Sequence, residues 1–177
     1  MEFRPLIITV SIIVLAHFFC VNAVHAQDII KWSPTYKLQW KDFWGTPDTT
    51  MESVAVTSSG ISCKSLFTDT SFTFTVFAFF DKGKSWKKEA VNVKILKHEQ
   101  GHFDITEIFS RKLKIELGKI VPYRSSVQST VNAAFENINQ ARDQMQDRYD
   151  KETDYGRNSI AQRRWSKFIR AELMNSL

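Results

Sequence analysis

At 177 residues and 20.5 kDa, the chain suits one domain with a core of its own and is short for two. Hydrophobic residues make up 43% and charged residues 24%, which excludes a disordered tail, a collagen-like fibre and a disulfide-stapled miniprotein. The net charge is +5, but the basic residues are scattered and no recognition motif accompanies them, so no nucleic-acid partner is expected.

Residues 1–26 have the layout of a secretory signal peptide. A short charged start precedes the apolar run LIITVSIIVLAHFFCVNAV, and Val24 and Ala26 suit the minus-three and minus-one positions of a cleavage site before Gln27. His17, Asn22 and His25 interrupt the run, which favours cleavage over a retained anchor. Phe19 before Cys20 is too bulky for lipid attachment. The expectation is an exported protein, secreted or periplasmic, with residues 27–177 as a single domain and no stable membrane anchor. Without the leader, Cys63 is the only cysteine and His98 and His102 are the only histidines. An internal disulfide is then impossible, and Cys63 is expected to act as a small apolar group.

In chain order, residues 28–90 are β-rich. Residues 36–40 alternate like a strand, and a turn follows over residues 41–47. Residues 53–57 are a short strand candidate closed by Ser58-Ser59-Gly60. SFTFTVFAFF (71–80) alternates and then becomes continuously apolar, a strand half-buried at one end and buried at the other. It offers either core aromatics or an edge for an extended substrate. Residues 93–117 then carry Ile95, Leu96, Phe103, Ile105, Ile108, Phe109, Leu113 and Leu117 at helical spacing, with Gly118 as a stop. A second helix is expected from Ser125, where Ser125 and Gln128 fit a capping box, with Val131, Phe135, Ile138, Met145 and Tyr149 as its stripe. After a polar stretch over residues 150–158, a third helix carries Ile160, Trp165, Phe168, Ile169 and Leu173. Its basic residues Arg163, Arg164, Lys167 and Arg170 form a solvated face. Strands first and helices afterwards indicate α+β, an N-terminal sheet packed against three amphipathic helices.

The informative pentapeptide is His98-Glu99-Gln100-Gly101-His102, inside the first helix. Residues four apart share a helix face, so both imidazoles can reach one ion at about 2.0–2.1 Å. Glu99 lies about 100° around the helix from His98, beside the metal but free for proton transfer. This is the HExxH arrangement of zinc metalloproteases. Gly101 costs about 1 kcal/mol of helix propensity, which the close approach of another segment or a substrate would explain. A catalytic zinc normally has three protein ligands. With no third histidine, a carboxylate, a tyrosine or Cys63 must serve. Asp104 and Glu107 project from other sides of the helix, so the better candidates lie in YDKETDYG (149–156).

These residues resemble the bacterial secreted, predicted zinc-dependent proteases, a family defined by sequence. The resemblance runs through LQWKDFWG (38–45), AVTSSGI (55–61), the Phe-rich strand with Ser85-Trp86, ILKHEQGHFDITEIFSRKL (95–113), YDKETDYG (149–156) and QRRW (162–165). It implies a zincin-like domain that binds Zn2+ through His98 and His102, with Glu99 as the catalytic carboxylate acting on a peptide or protein substrate. Members read YDxxTxHG near the C-terminus, and Tyr155 stands where they carry that histidine. The resemblance therefore points to Tyr155 as third ligand, with Asp154 or Glu152 as neighbours that can replace it. A phenol must lose its proton to bind zinc, so such a site is weaker than one with three imidazoles. Peptide hydrolysis would also need a group to steady the oxyanion, for which Tyr149, Tyr155 and Arg157 qualify. The alternative is a non-catalytic binding module of the same fold with a weakened or lost metal site.

Overall fold

The computed structural model describes residues 28–67, 72–120 and 127–176. The expected signal peptide and the Ser125 cap lie outside the described residues. Strands β1 (Ile29–Lys31), β3 (Ser59–Phe67) and β4 (Phe72–Asp81) form an antiparallel sheet in the order β1-β4-β3, while β2 (Ala55–Val56) pairs with β5 (Trp86–Lys87). Helices α1 (Val93–Gly118), α2 (Val127–Thr153) and α3 (Ser159–Asn175) follow. The class is α+β, with strands first and helices afterwards.

Helix α1 is the centre of the packing. Asn92 starts it by accepting from the amides of Lys94 and Ile95 at 2.9 and 3.2 Å, the N-cap bond that satisfies otherwise orphaned donors. Its faces pack on β3, β4, α2 and α3. Ile105, Ile108 and Leu113 are completely buried there, and they join Ile61, Tyr149, Trp165 and Ile169 in one apolar cluster. Among the described residues no helix is long and apolar enough to cross a membrane.

Several local expectations change. Residues 36–40 form no strand, because side chains take the backbone donors that a partner strand would: the Leu38 amide donates to Gln100 Oε1 and the Gln39 amide to Asp42 Oδ2. A 3-10 turn, Trp40–Asp42, follows. Ser58-Ser59-Gly60 does not end the β-region. Ser59 opens β3, which pairs along its length with β4, and Gly60 gives room to the Phe79 ring, 2.8 Å from where a Cβ would stand. Strand β4 pairs with β3 along its length and with β1 at residues 79–81, so its C-terminal end is covered on both sides, and its Ala78 and Phe80 belong to the core. Helix α2 extends to Thr153, which makes Asp150 and Glu152 helical. In α3 the core face is Ala161, Trp165 and Ile169, while Ile160 and Phe168 turn outward. Cys63 is half-buried against the main cluster, and burial raises its thiol pKa.

The helical glycine has a specific cause. A methyl at Gly101 would run into the hydroxyl of Tyr149, so α1 and α2 touch there through a ring lying on bare backbone. Gly101→Ala should therefore lower stability by about 1–3 kcal/mol through overpacking, although the same change in an exposed helix stabilises by about 1 kcal/mol. Urea unfolding would show it, and a gain in midpoint would refute the close approach.

Candidate metal centre

His98 and His102 occupy successive turns of α1, their rings edge to face with centroids 4.7 Å apart and their Nε2 atoms 3.1 Å apart. Asp150, the residue after Tyr149 on α2, completes the group. Its Oδ1 lies 3.0 Å from His98 Nε2 and 2.9 Å from His102 Nε2. Ligand atoms of His98, His102 and Asp150 all fall within 4.8 Å of one another.

Two glutamines fix which nitrogen of each ring faces inward. Gln162 Nε2 donates to the Tyr149 hydroxyl at 2.7 Å, and that hydroxyl donates to the His98 carbonyl at 3.2 Å. This turns Gln162 Oε1 towards His98 Nδ1, 3.2 Å away. Gln146 Nε2 donates to the His102 carbonyl at 3.0 Å and to Thr106 Oγ1 at 3.2 Å, so its Oε1 faces His102 Nδ1. Each Nδ1–H thus donates outward and each Nε2 presents a lone pair inward. The two Nε2 atoms and Asp150 Oδ1 are then three acceptors pointing at one place, an arrangement that a proton or a cation must relieve. Tetrahedral ligands at about 2.0–2.1 Å from zinc stand about 3.3–3.4 Å apart, so an expansion of a few tenths of an ångström would admit the ion.

The titration behaviour follows from the same geometry. Burial opposes charge on His102, but the Asp150 hydrogen bond and the Glu99 and Asp150 charges outweigh it and raise the pKa. Burial would raise the Asp150 carboxyl, yet the His102 and His98 imidazoles, which donate to it when protonated, hold it well below the usual carboxylate range. Stacking on His98 at 4.6 Å, Tyr149 has its own pKa pushed up by burial.

Glu99 lies on the adjacent edge of α1, 3% exposed, and its Oε2 is buried without a hydrogen-bond partner among the described residues. Glu99, both imidazoles and Asp150 line a cleft of about 460 Å³. Residues 53–59, which include β2, form one wall, and Arg142 and Gln146 of α2 contribute to another. The Asp150 side chain keeps 29% of its surface open.

Of the residues expected to supply a third ligand, Glu152 and Asp154 do not join this group. Tyr155 lines the cleft but is 45% exposed, with the Arg157 guanidinium over its ring. Asp154 is paired with Arg157 at 2.7 Å, and Glu152 accepts from Trp165 Nε1 at 2.8 Å. Asp154, Tyr155 and Gly156 have φ of 51°, 51° and 83°, three consecutive left-handed residues that bend the chain sharply after α2. Gly156 is thereby pressed on His98, whose Cβ is 2.8 Å from where a glycine Cβ would stand. The sequence points to YDKETDYG, which contains Asp150, but not to Gln146. Their spacing of four, which puts both on one face of α2, was the available signal.

Residues 80–156 match the model of a family described as a bacterial protein of unknown function, DUF922. The matched span runs from the end of β4 to Gly156 and contains His98, Glu99, His102, Asp150 and Tyr155. It agrees with a bacterial family of unassigned function, and its description names no reaction. No curated protein and no solved structure gives a significant match.

The pKa directions predict how stability varies with pH. His102, raised above 6.5, stabilises the fold fully below that value, and the contribution disappears as pH rises through the raised pKa. Asp150, lowered from 3.8, stabilises above that value, and its contribution is lost as pH falls through the depressed pKa. Metal-free protein should therefore melt at a lower temperature at about pH 8 than at about pH 6. Added zinc, which needs deprotonated ligands, should raise the melting temperature more at the higher pH. Equal zinc shifts at both pH values would refute this competition between proton and metal.

Proposed function

We propose that this chain is an exported zinc-dependent peptidase with a zincin-like site, in which His98, His102 and Asp150 hold the metal and Glu99 is the general base. The carrying observation is the convergence of three acceptor atoms on the floor of an open cleft, beside a buried carboxylate oxygen with no partner. Two imidazoles and one carboxylate suit zinc, whereas calcium and magnesium favour all-oxygen sites. When bound, zinc supplies a Lewis acid that polarises a carbonyl and acidifies water.

The chain's own groups carry the rest of the reading. Glu99 Oε2, without a donor among the described residues, is suited to take a proton from attacking water and pass it to the departing amine. Gln146 and Gln162 keep the imidazoles in the tautomer that can bind metal. Strand β2 has β5 on one side and no strand partner on the other among the described residues. It lines the cleft, so an extended peptide can pair with it. The Tyr149 hydroxyl is already committed to His98 and Gln162, and the Arg157 guanidinium to Asp154. That leaves the Tyr155 phenol as the better oxyanion donor of the three. Export rests on the sequence of residues 1–26.

Glu99→Gln should reduce hydrolysis of casein or a peptide library by about 10²–10⁴-fold while zinc content stays stoichiometric. Unchanged cleavage would refute the assignment. Wild-type protein that holds zinc but cleaves nothing would instead be a binding module. The ligand set has its own test, a zinc titration against a competing chelator. Asp150→Ala should weaken zinc binding by more than about 100-fold and Gln162→Leu by about 10–100-fold, whereas Tyr155→Phe should leave it within about threefold. Loss of zinc in Tyr155→Phe with retention in Asp150→Ala would transfer the third ligand to Tyr155.

A further inference from the structure

The opposite face of α1 borders a second and larger cavity, about 710 Å³, within the roughly 300–1,000 Å³ typical of small-molecule sites. His98, Glu99 and His102 face the cleft, while Leu96, Gln100 and Asp104 face this cavity, about half a helical turn away at 100° per residue. Its walls are mainly apolar: Trp32, Pro34 and Leu38 from the segment after β1, Leu96 from α1, and Ile169 and Leu173 from α3. Val93 and Met174, 63% and 67% exposed, extend the apolar surface to its mouth.

The polar groups divide into two sets. Those at the floor are satisfied by one another: Asp104 Oδ1 accepts from Trp32 Nε1 and from Gln100 Nε2, each at 2.8 Å, and Gln100 Oε1 accepts from the Leu38 amide. Arg111 is held by Glu107 at 2.7 Å. Lys37, Lys97 and Arg170 also line the cavity and are exposed, yet none of them is in an ion pair among the described residues. Among the described residues no strand lines the cavity, so a peptide backbone would find no ladder to join there. The surface calls for a ligand with an apolar body, few internal polar groups and a negative end.

We propose that this cavity binds a single-chain carboxylate amphiphile of the fatty-acid type. The hydrocarbon lies between α1 and α3, and the carboxylate faces Lys37, Lys97 and Arg170. The proposal rests on this cavity alone and is independent of the peptidase reading.

The test is calorimetric titration of the full chain with octanoate, decanoate and dodecanoate below their micelle concentrations. Each added methylene should tighten Kd by about three- to fourfold, the value of burying one such group. An alkyltrimethylammonium of equal length should bind at least about tenfold more weakly, and Lys37→Glu with Arg170→Glu should cost dodecanoate about tenfold. Both substitutions are at exposed positions, and circular dichroism would verify the fold. An ω-bromododecanoate should quench tryptophan fluorescence, and Trp32→Phe should remove that quenching. Asp150→Ala should retain the chain-length dependence. Affinity that is flat with chain length, or insensitive to the charge reversals, would overturn the proposal. So would binding that disappears in Asp150→Ala, which would place the carboxylate on the metal centre. Failure to take up any amphiphile, with the cavity filled by the chain's own N-terminal residues or by a second copy, would overturn it too.

Discussion

Everything in the candidate site depends on how closely α2 can approach α1. At Gly101 the helix has no side chain, and the Tyr149 ring lies on its backbone while stacking on His98 at 4.6 Å. That one contact sets the depth at which the next residue of α2, Asp150, meets the two imidazoles. A larger residue at position 101 would push the helices apart and withdraw the carboxylate. The about 1 kcal/mol that glycine costs a helix interior is therefore offset by geometry that only a bare backbone permits.

Around that contact the buried polar groups form a closed network. Tyr149 accepts from Gln162 and donates to the His98 carbonyl. Thr106 donates to the His102 carbonyl and also meets Ser59 of β3 at 2.7 Å, so sheet, α1 and α2 are joined at one side chain. Among the described residues nearly every buried side-chain nitrogen and oxygen in this region has a partner, as a low-dielectric interior requires. Glu99 Oε2 is the exception. An unsatisfied buried carboxylate oxygen is costly, and one beside two converging imidazoles is the kind of cost that functional sites retain.

Helix α1 also separates two environments of opposite character. One face carries ionisable groups into a cleft bordered by a short strand, and the other floors an apolar cavity with cations at its edge. Burial of Ile105, Ile108 and Leu113 further along the helix fixes its rotation, and that rotation decides which face receives which set. The sharp left-handed turn after α2 has a related role, since it brings Gly156 against His98 and starts α3 where Gln162 can reach the ring.

Periodicity alone determined that α1 is a helix, because eight apolar positions at helical spacing leave little choice of burial. The spacing of four between His98 and His102 likewise required their rings to share a face, with Glu99 beside them. Strand β4 was legible from its aromatic run. Strand β3 was not, since SGISCKSLF is only weakly apolar and becomes a strand by pairing with β4. Residues 36–40 had the alternation of a strand but lost it to side chains from α1 and the 3-10 turn. The third member of the His98–His102–Asp150 group was undetermined for the same physical reason. Which of Asp150, Glu152, Asp154 and Tyr155 faces His98 depends on where α2 ends, how it is rotated and how near it comes. Those quantities are set by contacts between residues about fifty positions apart, which local sequence does not encode.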